Sequence, residues 1–130
     1  MSNRALQQKS SYSQKYQREL GLSVVFQYIY YGRFFLPLNL ANYFIDVLEG
    51  IILNYHEYNR KVWEIVYRSN FFVMNYMERA LLLMLYAEIK IGQIPTSLLV
   101  FIYIRLAKKY CRKNFHKLIP VFVSHAEKNF

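Results

Sequence analysis

The alternation of apolar and polar positions divides the chain into helix-length segments. Residues 14–31 open on strong helix formers and close on Val24-Val25-Phe26-Gln27-Tyr28-Ile29-Tyr30-Tyr31, a run that also suits a strand. The chain has no second strand-like run of comparable length to pair with it, so the segment reads as a helix stopped at Gly32. Pro37 can open the next helix. Its Leu40, Phe44, Val47, Leu48, Ile51 and Tyr55 recur at three- and four-residue spacing, and Asn42, Asp46 and Glu49 take the opposing face. That helix either runs through Gly50 toward Ser69 or breaks within residues 54–59, after which Val62, Ile65 and Val66 form another apolar stripe.

Residues 71–91 are apolar nearly all round, relieved only by Asn75, Glu78, Arg79, Glu88 and Lys90. Such a helix lies at the centre of a bundle, or it faces lipid or a partner protein. Gly92 and Pro95 stop it, and Thr96 or Ser97 can cap the next helix through a side-chain oxygen. That next segment, residues 94–118, starts without a polar side and ends with two faces. At about 100° per residue from Arg105, the residues Lys108, Lys109, Arg112, Lys113 and His116 fall within about 80° on either side, and Lys117 lies at about 120°. Ala107, Tyr110, Cys111 and Leu118 take the opposite side, and Phe115, at the boundary between the faces, is grouped with them as an apolar residue. The first half, Leu98 to Ile104, is therefore expected to be enclosed, and the second to turn a basic face outward. Pro120 is expected to end the helix, leaving Val121 to Phe130 as a tail that docks or frays.

The fold these segments predict is all-α: a single bundle of four to five helices around a buried central helix at 71–91. A chain of 130 residues suits one core, with a single helical domain over residues 13–130 and a flexible basic N-terminal arm over residues 1–12. The charge-free runs 20–32, 34–45, 80–87 and 91–104 are all shorter than the roughly 20 apolar residues of a membrane span, so no bitopic anchor is expected, and the membrane-embedded alternative is a short helical hairpin over 20–45 inside a larger assembly.

Charge sharpens the picture. Residues 1–33 carry five basic groups and one acid, residues 34–90 carry five basic groups and six acids, and residues 91–130 carry seven basic groups and one acid. A near-neutral centre between two basic ends points to an anionic partner, or else to a basic face that only keeps the protein soluble. The single cysteine, Cys111, excludes an internal disulfide framework and is compatible with a reducing, intracellular compartment.

Candidate chemistry is sparse. Cys111 and His116 are five apart, which on a helix separates them by about 140°, so they do not converge on a metal. His56 beside Glu57 lacks the spacing of a zinc protease, and Gly21, Gly32, Gly50 and Gly92 are isolated rather than gathered in a phosphate loop. Asp46, Glu49, Glu57, Glu64, Glu78 and Glu88 show no catalytic pairing and mostly suit solvated helix faces. No catalytic residue, cofactor site or metal site is therefore expected, and an enzyme is not expected. Tyr28, Tyr30, Tyr31, Phe34 and Phe35 beside Arg33 form an aromatic cluster that packs between helices, lines a protein groove or stacks nucleobases.

Residues 71–119 carry a resemblance. An apolar helix from Val73 to Tyr86, a short loop with Gly92, and then Ile94-Pro95-Thr96-Ser97-Leu98-Leu99-Val100-Phe101-Ile102-Tyr103-Ile104-Arg105-Leu106 resemble the first two cyclin-box helices of the fungal Pcl-type cyclins. In that family a Pro-Thr opening leads to an apolar helix closing in Tyr-x-x-Arg-Leu; here Tyr103 and Arg105 enclose one residue. The resemblance implies a truncated cyclin-like regulator of a protein kinase, without catalysis of its own. The matching residues do not reach the family's kinase-contacting lysine and glutamate.

The residues themselves point to a non-enzymatic helical interaction or regulatory module. Its basic helix, through Arg105, Lys108, Lys109, Arg112, Lys113 and Lys117, is expected to contact an acidic protein surface or a phosphate-bearing partner. The alternatives are a membrane-peripheral helical subunit on anionic lipid and a nucleic-acid-binding protein using the same face.

Overall fold

The computed structural model describes residues 14–128, so the predicted arm at residues 1–12 lies outside the described residues. Among the described residues six α-helices follow in order: α1 (Gln14–Tyr31), α2 (Asn42–Leu53), α3 (Tyr55–Arg68), α4 (Tyr76–Ile91), α5 (Thr96–Tyr110) and α6 (Leu118–Lys128), with a 3-10 turn at Phe115–Lys117 before α6. Among the described residues there is no strand. The all-α bundle with a buried central helix is thus the observed architecture. Helix α4 packs against α1, α2, α3, α5 and α6, and every residue from Ala80 to Ile89 is buried.

Helix α1 runs over the predicted residues and stops where Gly32 adopts φ +72°, a left-handed conformation that glycine takes without steric cost. Helix α4 starts at Tyr76 rather than at residue 71, because Asn75 caps it. The Asn75 Oδ1 atom accepts from the Glu78 N–H at 2.8 Å and Glu78 Oε1 accepts from the Asn75 N–H at 3.0 Å, a reciprocal capping box. Helix α2 begins at Asn42, not at Pro37. Leu40 is buried, and the Ala41 N–H donates to Gln17 Oε1 on α1 at 2.7 Å, which holds the preceding segment out of helical geometry. Of the two readings of residues 38–69, the broken one holds. At Asn54 both the backbone N–H and the side-chain Nδ2 donate to the Gly50 carbonyl, at 3.1 and 2.9 Å, and α3 starts at the next residue.

The largest difference lies at the C-terminal end. Helix α5 does not continue to Leu118; it ends at Tyr110. The Arg112 backbone N–H donates to Glu78 Oε2 at 3.1 Å, and Asn114 adopts φ +72°, so the chain turns away from the α5 axis. Pro120 does not end a helix. It sits in the first turn of α6, where its missing N–H belongs to the donors a helix start leaves unpaired anyway. The expected tail is therefore a docked helix that buries Leu118, Ile119, Phe122, Val123 and Ala126.

Candidate functional site

Helix α5 has two long sides. Leu99, Tyr103, Leu106 and Ala107 face the core. On the outer side Leu98 and Phe101 are 48% and 60% exposed, followed by exposed Arg105, Lys108 and Lys109. The expectation that Leu98 to Ile104 is enclosed is corrected here: an all-apolar helix half has one face more than α4 can cover, and among the described residues Leu98 and Phe101 are left exposed. The Arg105 guanidinium stands over the Phe101 ring at 5.9 Å, joining the apolar and basic parts of this stripe.

Between α5 and the first turns of α1 runs a groove of about 460 Å³. Lys15, Arg18 and Glu19 form one wall, and Leu98, Phe101, Ile102, Arg105, Leu106 and Lys109 form the other. At one end Lys109 Nζ donates to Glu19 Oε1 at 2.7 Å, and the same ammonium lies 5.1 Å from the centre of the Tyr110 ring. The hydrogen bond to Lys109 holds the Glu19 carboxyl below its ordinary range, and the reciprocal bond raises the Lys109 ammonium.

Arg18 lines the groove yet its charge is spent inside. Its Nε donates to Glu88 Oε2 at 2.9 Å and its Nη2 to Glu88 Oε1 at 2.7 Å. Glu88 on α4 is completely buried, and it also accepts from the Tyr43 hydroxyl of α2 at 2.6 Å and from the Tyr103 hydroxyl of α5. Burial opposes the Arg18 charge, but the paired carboxylate more than offsets this and lifts the guanidinium further above its ordinary value. Four donors saturate the lone-pair sites of Glu88, so the carboxylate serves the fold and has no acceptor capacity left for a ligand.

The structure separates the six predicted contact residues. Arg105 and Lys109 line the groove, and Lys108 is exposed on the same helix. Arg112 lies beyond the end of α5 and clasps the buried Glu78: its Nε lies 2.9 Å from Oε2, its Nη2 2.7 Å from Oε1, and Nη2 also reaches the Val73 carbonyl at 2.9 Å. Lys113 and Lys117 are exposed on the turn and the 3-10 segment, off the α5 face. The single basic face through Arg112, Lys113 and Lys117 is corrected accordingly, because the helix that would carry it stops at Tyr110.

Residues expected on the packed side also divide. Phe115 is buried against Phe71, with ring centres 5.5 Å apart, whereas Tyr110 is exposed and Cys111 is half-buried. Burial and then the Glu78 charge push the Cys111 thiol up to about 12, which leaves it a poor nucleophile at neutral pH. In the aromatic cluster, Tyr28 and Phe34 are half-buried and pack edge to face, while Tyr30, Tyr31 and Phe35 are exposed. Lys15, Glu19, Leu98 and Phe101 are groove residues that periodicity alone does not single out. The pairing of Glu19 with Lys109, 90 residues apart, leaves no local signal.

Among the described residues no three of His, Cys, Asp and Glu gather into a metal-ligand set, and no helix is long and apolar enough to cross a membrane. No family model matches the chain, and comparison with curated proteins and with solved structures finds no match.

Proposed function

We propose that this protein is a non-enzymatic helical interaction module that takes an acidic, apolar-anchored segment of a protein partner against α5 and into the α1–α5 groove. The observation that carries this reading is the outer stripe of α5, in which exposed Leu98 and Phe101 run directly into Arg105, Lys108 and Lys109. The apolar residues supply affinity, since burying one such side chain fully contributes about 1.5–3 kcal/mol. The cations supply orientation and a faster encounter with an acidic surface. A protein partner is favoured over a phosphate backbone because exposed Leu98 and Phe101 offer an apolar anchor that phosphate contacts do not use. It is favoured over a lipid surface because the stripe lies beside a concave groove and not on a flat basic face. An intracellular, reducing compartment suits a chain whose one cysteine can form no internal disulfide.

The test uses fluorescence polarisation with a labelled helical peptide that carries a Leu-x-x-Phe anchor and glutamates one and two turns beyond it. The peptide is expected to bind, with an association rate that falls as salt rises. Phe101→Ala should weaken binding about tenfold or more. Arg105→Gln with Lys108→Gln should weaken it about two- to tenfold, mostly through association rate. Tight binding of phosphatidylserine vesicles or of a single-stranded oligonucleotide, with no binding of the peptide, would overturn the proposal in favour of the lipid or nucleic-acid reading.

A further inference from the structure

Resting on that reading, we infer that Glu19 is a resident carboxylate occupying the partner's acid site, and that the partner's own carboxylate replaces it on Lys109. Three features carry this. The Lys109 ammonium is the only groove cation among the described residues whose hydrogen bond goes to an exposed-side carboxylate of another helix, since Arg18 is committed to buried Glu88. The Glu19–Lys109 bond closes one end of the groove between α1 and α5, where an incoming chain would pass. Released Glu19 has another cation available one turn back on its own helix, Lys15, whose charge already helps to lower the Glu19 carboxyl. Exchange of one carboxylate for another leaves neither Lys109 nor Glu19 without a counter-charge.

The geometry also defines the spacing a partner needs. Phe101 and Lys109 are eight residues apart on α5, a rise of about 12 Å. A helical partner lying along α5 therefore places its carboxylate about two turns from its apolar anchor, with Arg105 available for an acid about one turn from it. Carboxylates next to the anchor, over Leu98 and Phe101, gain nothing.

The experiment compares two labelled helical peptides identical except at the position two turns from the anchor, which is Glu in one and Gln in the other. Each is titrated into the wild-type protein, Glu19→Gln, Lys109→Met and the double variant, and circular dichroism verifies that every variant is folded. Removing the resident carboxylate should tighten the Glu peptide about two- to tenfold while leaving the Gln peptide nearly unchanged, and the gain should disappear on the Lys109→Met background. A gain that persists without Lys109, or that is equal for both peptides, would show a general change of field and overturn the inference. Equal binding by wild type and Glu19→Gln, with Phe101→Ala still weakened, would overturn the resident-carboxylate inference and leave the groove reading standing. Failure of every variant to bind either peptide would overturn both.

Discussion

Glu88 shows how one residue sets the terms for its neighbours. A carboxylate with no solvent contact persists because Arg18, Tyr43 and Tyr103 give it four donors, and the same burial controls the two phenols. Burial first, and then the Glu88 charge, raise Tyr43 and Tyr103 above the ordinary phenol value of 10. The folded protein keeps protons that the unfolded chain releases above that value. This contribution to stability is therefore complete below pH 10 and is lost progressively as the pH climbs beyond it. Tyr43→Phe and Tyr103→Phe should each lower stability at neutral pH while making the alkaline decline shallower. Urea midpoints between about pH 8 and about pH 11 measure both effects, and an unaltered alkaline slope would remove these phenols as its cause. That these tyrosines and Glu88 belong together is not visible in the chain, where Arg18 and Glu88 stand 70 residues apart. The carboxylate looks from sequence like one more polar-face residue, and only its donors show otherwise.

At the scale of elements, the close approach of α1 to α4 sets a steric limit. Gly21 is buried where an added Cβ would come within 3.0 Å of Met84 Cε, the flexible end of a side chain. Gly21→Ala needs only a small shift of that methyl group, and the better helix propensity of Ala works in its favour. Gly21→Leu overpacks the interface and should cost about 1–3 kcal/mol. Chemical denaturation distinguishes them; a leucine variant as stable as wild type would show that α1 is free to move outward. Helix existence was legible throughout this region, since the apolar spacing of α1 and α4 and the Gly32 and Gly92 stops lie within the sequence itself. Helix ends were legible only where a local device sets them. The Asn75-x-x-Glu78 capping pattern is present in the sequence and marks the true start of α4, whereas the end of α5 is set by Glu78 reaching Arg112 across 34 residues. A wheel drawn through residues 111–118 therefore assigns faces to a helix that is absent.

For the whole molecule, the Glu88 network joins α1, α2, α4 and α5 at one buried point. Removing one member leaves a charge without compensation, so Glu88→Ala should reduce unfolding free energy by about 3–5 kcal/mol. Arg18→Met combined with Glu88→Leu should cost clearly less than the two single changes added together, because an apolar pair replaces an ion pair. A double-mutant cycle from urea denaturation gives the coupling, and simple additivity would show that the ion pair does not act as a unit. Since Arg18 and Glu19 are adjacent on α1, the network also fixes the groove wall that holds Glu19 against Lys109. The surface proposed to meet a partner is thus anchored in the core.

The amino-acid sequence by itself determined the all-α architecture, the central place of α4, the span of α1 and the basic character of the region after Leu98, because each follows from periodicity, glycine stops and charge that act within a few residues. Only the tertiary structure decided which cations face outward together. Arg112 is taken by Glu78, Lys109 is held by Glu19, and Leu98 and Phe101 lie open although their helix half is wholly apolar. The reason is physical: a buried carboxylate must find its donors wherever the fold brings them, and the pairs that result join positions tens of residues apart.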